Sequence, residues 1–211
     1  MLETFQSSIE PKDLEALPLQ AFTGQIEVID HIGFKFTRAL AYLRRQKVLG
    51  FDTETRPSFE ARHYHHDVAL LQLSGPDKAY LFRLNKMGLR KSLCSVLSNP
   101  RILKVGAASS DDVKGLQRLC PFEAHSFLDL QKIVWEWGIM DKSVKKMTAI
   151  ILGFRISKSQ QLSNWEADEL TQAQRIYAAT DAWVCRQMYT KLSESPKNPL
   201  KYDEQGNIKK G

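Results

Sequence analysis

Three cysteines among 211 residues leave little room for a disulfide framework or a sulfur-ligated metal centre. Cys94, Cys120 and Cys185 lie far apart and form no CxxC pair, so they read as reduced core residues of a cytoplasmic protein. No apolar run approaches the roughly 20 residues that a membrane helix needs. The opening MLETFQSSIEPKDLEALPLQ has no basic stretch followed by an apolar one, so no secretory leader is expected. Internal repeats and low-complexity tracts are also missing. The surplus of positive charge is small, with 30 Lys and Arg against 24 Asp and Glu for a net +6. That balance suits a nucleic-acid partner without requiring one. With 43% hydrophobic residues, the chain can bury one good core.

The pattern along the chain places the elements. IEVID predicts a short strand, and Phe36, Leu40 and Leu43 in FKFTRALAYLRRQ have helical spacing. VLGFDTET is a strand, and VALLQLSG and KAYLFRL are two more, joined at Gly75-Pro76-Asp77. A helix from about Met87 to Leu97, the strand ILKVGAA, a helix after Ser110, the strand SFLDL and further helix follow. This order predicts an α/β mixed sheet flanked by helices, antiparallel at one edge and parallel elsewhere. Residues 1–23 are expected to form an N-terminal extension, 24–194 one domain, and 195–211 a polar, flexible tail.

Acidic residues carry the chemistry. Asp52 and Glu54 are two apart on a strand, so both leave by one face at the end of an apolar run. Asp13 and Glu15 share that spacing, so the pair alone is weakly specific. In TQAQRIYAATDAWVCRQMYTKL, Thr171 and Gln174 have capping-box spacing and start a helix. Tyr177, Asp181, Val184, Met188 and Leu192 then form one inward stripe. In KVGAASSDDVKGL, acids in the first turn suit a helix cap, and Asp111 is read so; Asp112, in register with Leu116 and Leu119, is a candidate either for the cap or for pointing back over the sheet. Inward carboxylates from separate elements repel unless they share protons or hold divalent cations. Oxygen-only ligands favour hard ions such as Mg²⁺ or Mn²⁺, and this many acids can hold two.

Three ordered motifs, FDTET, KVGAASSDDVKGL and YAATD, make the sequence resemble the 3′–5′ exonucleases with four carboxylates and a tyrosine in the third motif. Ribonuclease D, the Werner-syndrome exonuclease domain and polymerase proofreading domains belong to this family. VALLQLSGPDKAYLF and SKSQQLSNWEADELTQAQ extend the likeness, which covers approximately Gly24 to Leu192. Where family members carry a third-motif histidine five residues before the aspartate, this chain has Ile176. The resemblance implies a ribonuclease H-like fold that releases nucleoside 5′-monophosphates from single-stranded or frayed 3′ ends of DNA or RNA. It implies metal and catalytic roles for Asp52, Glu54, Asp112 and Asp181, with Asp52 bridging two ions. Glu54 and Asp181 then hold the first ion, which activates water, and Asp112 the second, through water, at the leaving 3′ oxygen. Tyr177 orients the attacking water. The region after the last helix is expected to be too short for the helical domains of ribonuclease D or a helicase.

Weaker signals flank these motifs. Arg56, Arg62 and Lys158 are candidate phosphate contacts, whereas the adjacent histidines of HYHHD, on an irregular loop, are poorly suited to converge on one ion. Trp165 and Trp183 have the residue type for base stacking, but their surroundings favour packing. Two other functions remain open on sequence: a nucleic-acid-binding module without catalysis, and hydrolysis of a small phosphoester.

Overall fold

The computed structural model describes residues 4–57 and 66–200. Its centre is a sheet of β1 (Gln25–Ile29), β2 (Val48–Thr55), β3 (Val68–Ser74), β4 (Lys78–Arg83), β5 (Leu103–Gly106) and β6 (Phe127–Asp129). The spatial order is β1-β4-β3-β2-β5-β6. β3 is antiparallel to both of its neighbours, β2 and β4, while β1 runs parallel to β4, β5 to β2, and β6 to β5. The strand of opposite direction, β3, therefore lies inside the sheet, not at one edge as the element order predicts. The cause is β1, which passes its sequence neighbours and covers the outer side of β4. VALLQLS is buried at every position, the pattern of a strand enclosed on both faces.

Helices cover both faces. On one side α2 (Phe34–Leu43), α4 (Lys91–Leu97) and α5 (Ser110–Leu119) bring Leu40, Leu43, Leu93, Leu97 and Leu116 against Phe51 and Leu71. The single helix expected near Met87 to Leu97 is broken: α3 (Leu84–Met87) stops at Gly88, whose φ of +67° reverses the chain before α4. Cys94 and Cys120 are neighbours here with thiols in hydrogen-bond contact, and both are free. On the other side α7 (Val144–Leu152) and the 23-residue α8 (Gln172–Glu194) pack Met147, Ile151, Val184 and Met188 over Val105. The short α6 (Leu130–Ile133) and a 3-10 turn (Val134–Trp137) add Leu130, Val134 and Trp137 to the same core. Among the described residues no helix is long and apolar enough to cross a membrane.

The residues before β1 are part of this packing. Around α1 (Pro11–Ala16), Ile9 and Leu14 join the α7–α8 core, and the Phe22 amide donates to Thr180 Oγ1 at 3.0 Å. At the other end, the amides of Asn198 and Leu200 donate to the carbonyls of Glu136 and Trp135, so residues 195–200 start against the body. Residues 201–211 lie outside the described residues.

One close approach sets up the site. α8 crosses β2 so tightly that a Cβ at Gly50 would run into the Ala182 carbonyl. Small residues on the helix, Ala178, Ala179 and Ala182, are all fully buried there. Gly50→Ala is expected to cost about 1–3 kcal/mol through overpacking, read as a lower urea midpoint; an unchanged midpoint would contradict this contact.

Candidate active site

Strand alternation sorts β2 into two sets. Leu49, Phe51 and Thr53 face α5, while Gly50, Asp52 and Glu54 face α8. The capping box at Thr171 and Gln174 fixes where α8 starts, with the Thr171 amide donating to Gln174 Oε1 at 2.9 Å. Two and a half turns later Asp181, one residue before the Gly50 contact at Ala182, reaches the β2 acids. One carboxylate oxygen from each of Asp52, Glu54 and Asp181 falls within 4.8 Å of the other two. β5 runs parallel to β2 and delivers α5 to the same strand end, where Thr53 Oγ1 donates to Asp112 Oδ1 at 2.5 Å. Asp112 thus stands beside the trio rather than within it. The register slips between Glu54 and Thr55, bending the β2–β3 ladder where Glu54 leaves it. Opposite Asp52 sits Gln72, fully buried, with neither amide atom hydrogen-bonded.

The electrostatics follow from this crowding. Burial, then the charges of Asp181 and Asp112, pushes the Asp52 carboxyl well above its usual range. Glu54 is pushed up to about 10 by burial and then by Asp52, Asp181 and Asp112. Asp181 rises to about 6 through burial, opposed by a hydrogen bond from the Tyr177 hydroxyl and by the charge of Lys158. Asp112 also rises by burial, and its bond from Thr53 works against that. Lys158, on the exposed loop before α8, lowers all three members of the trio. One exposed ammonium cannot neutralise them, so the acids keep protons or take cations. Donors that are all carboxylate oxygen fit a hard divalent ion.

Tyr177 is buried with its hydroxyl on Asp181, and burial followed by the charges of Asp181 and Glu54 raises its pKa. It is therefore a hydrogen-bond donor and not a base near neutral pH. Trp165, fully buried, packs against it with ring centroids 5.9 Å apart. Trp183 stacks on Phe154 at 6.0 Å, so both tryptophans pack in the core. Asp111 is exposed and pairs with Lys114 at 2.9 Å.

The rim is tied together by residues that the sequence motifs do not include. Glu166 holds Arg56 at 3.4 Å and His66 at 3.6 Å, joining the loop after β2 to the loop before α8. Arg83, nearly fully buried, donates to the carbonyls of Ala167 and Asp168, and Lys86 Nζ donates to the Asp168 carbonyl at 2.5 Å. Thr53 has a strand-alternation signal, but Arg83 and Glu166 have none, because their partners are distant in sequence. Arg62 and residues 63–65 of HYHHD lie outside the described residues.

Comparison with known proteins identifies the family and the fold. A family model described as 3′–5′ exonuclease matches residues 32–195. The exonuclease 3′–5′ domain-containing protein 2 of Drosophila melanogaster is 35% identical over 150 residues, covering 69% of this chain and 25% of that protein. Ribonuclease D of Gluconacetobacter diazotrophicus is 28% identical over 160 residues, covering 75% of this chain and 40% of that one. The chain thus spans well under half the length of either relative. The crystal structure of the Aedes aegypti Nibbler EXO domain superposes with a TM-score of 0.73 at 24% identity, over 83% of this chain and 91% of that one. That likeness bears out the ribonuclease H-like α/β architecture.

The raised carboxyls make a signed prediction. Their protonated forms stabilise the metal-free fold fully below the unfolded values of 3.8 for Asp181 and 4.5 for Glu54. That stability is lost as pH rises through about 6 for Asp181 and on towards about 10 for Glu54. Melted in EDTA, the wild type is expected to fall behind Asp181→Asn as pH goes from 5 to 8. A difference that stays flat or reverses over that range contradicts the assignment.

Proposed function

The chain belongs to the 3′–5′ exonuclease family whose model it matches, and we propose that it hydrolyses phosphodiester bonds stepwise at single-stranded or frayed nucleic-acid 3′ ends, releasing nucleoside 5′-monophosphates. The observation that carries this reading is the trio of carboxylate oxygens from Asp52, Glu54 and Asp181 within 4.8 Å, with Asp112 beside it. Two divalent cations, Mg²⁺ or Mn²⁺, are the cofactors of this reading. Asp52, Glu54 and Asp181 would hold the first of them, and Asp52 with Asp112 would serve the second. When bound, they supply the positive charge that activates water and stabilises the leaving 3′ oxygen.

The remaining work falls to this chain's own residues. Tyr177, kept protonated by its buried setting, positions the attacking water through its hydroxyl. Trp165 fixes the phenol ring, and the Thr53 hydroxyl fixes Asp112. Lys158 and Arg56, at the rim, meet phosphates of the strand. Attack on phosphorus breaks its bond to the 3′ oxygen of the preceding nucleotide, so the phosphate leaves with the terminal one.

Asp52→Ala is expected to remove mononucleotide release under Mg²⁺ or Mn²⁺ by at least about 10³-fold while melting no lower than wild type in EDTA. Undiminished release would overturn the reading. Tyr177→Phe is expected to lower kcat by about 10²-fold with the cations still bound; unchanged kcat would remove Tyr177 from the chemistry.

A further inference from the structure

The face of β2 turned away from Asp52 and Glu54 carries a second feature. Thr53, Thr55, Arg56, His66 and Arg118 wall a recess of about 370 Å³ that reaches Asp112. Its floor is Gly115, in the middle of α5. A Cβ there would lie 2.8 Å from Val68 Cγ2, so the helix rests directly on β3. The same point is 3.6 Å from Arg118 Nη2, so the guanidinium folds back over the glycine into the recess. A mid-helix glycine costs about 1 kcal/mol relative to alanine, and here it lets α5 close onto Val68 with Arg118 lying alongside at contact distance.

The charges in the recess favour an anion once Asp112 serves a cation. Arg56 and Arg118 are permanently charged, and the threonines add hydroxyl donors. Asp111, the other acid on the wall, is already matched by Lys114 at 2.9 Å, and Arg118 also holds its carboxyl below the usual range. Glu166 reaches Arg56 and His66 from the loop before α8. Forked guanidiniums beside hydroxyls are the donor set that grips a phosphodiester.

Direction comes from Asp112, and here the inference rests on the proposed function. Asp112 serves the side on which the 3′ oxygen leaves. That oxygen belongs to the upstream nucleotide, so this nucleotide and its own 5′ phosphate emerge past Asp112. We propose that the recess binds the phosphate one step 5′ of the scissile bond, with Arg118 as its principal contact. The enzyme then reads two successive phosphates of a strand, one over the acids and one over Gly115.

The test uses oligonucleotides carrying a single neutral methylphosphonate, either at that linkage or three linkages further upstream, beside the all-phosphate parent. Wild type, Arg118→Ala and Arg101→Ala are compared, Arg101 being exposed before β5, at the strand end away from the site. The adjacent methylphosphonate should raise the wild-type KM about tenfold, the loss of one charged hydrogen-bond set. Arg118→Ala should raise KM for the parent by a similar factor and respond no further to that methylphosphonate. Arg101→Ala should match wild type throughout, and the distant methylphosphonate should not couple to Arg118. Additive penalties, coupling at the distant linkage, or an unchanged KM in Arg118→Ala would overturn the inference. If wild type cleaves no parent with either metal, the proposed function fails. Anisotropy binding of the same oligonucleotides then decides the recess by the same non-additivity.

Discussion

Repulsion among half-buried carboxylates at the end of β2 is the constraint around which this molecule is arranged. Asp52, Glu54 and Asp181 come within 4.8 Å in surroundings that push all three towards protonation. A fold under selection for stability alone would gain by replacing them. Instead, several features hold them together. Gly50 lets α8 sit on the strand backbone, the capping box starts the helix at Thr171, and the parallel β5 brings Asp112 to the same end. The site lies outside the carboxyl ends of β2 and β5, next to the place where the neighbour of β2 changes from parallel to antiparallel, where α/β sheets bind ligands.

Around the acids the polarity reverses. Lys158 faces the trio, Arg56 sits on the rim, and Arg118 enters the recess past Asp112. Lys158 and Arg56 are mounted on loops and Arg118 on α5, and the loops are anchored. Buried Arg83 and Lys86 hold the carbonyls of the segment before α8, and Glu166 links that segment to the residues after β2. On the proposed reading, acids for cations at the centre and guanidiniums for phosphates at the edge make a coherent surface for a polyanion.

Local patterns in the sequence made much of the site legible. Period-two alternation puts Asp52 and Glu54 on one face, and helical spacing turns Tyr177 and Asp181 inward from a capped start. The three ordered motifs tie these residues to a family, and the family match covers residues 32–195. What stayed hidden depends on distant pairings. Nothing near IEVID says that β1 will lie beside β4, so the element order points to an antiparallel edge where the fold has β3 inside the sheet. The break at Gly88 turns on one positive φ inside an otherwise helical pattern. Arg83, Glu166 and Arg118 gain their roles from partners or walls that only the folded chain assembles.

Proton release on cation binding tests the central claim most directly. Metal-free protein at pH 7 is titrated calorimetrically with Mn²⁺ in buffers of different ionisation enthalpy. If the crowded, half-buried acids hold protons until a cation replaces them, binding should release about one proton or more, and Asp52→Asn should lower that number. Mn²⁺ binding without proton release, or release unchanged in Asp52→Asn, would contradict the account.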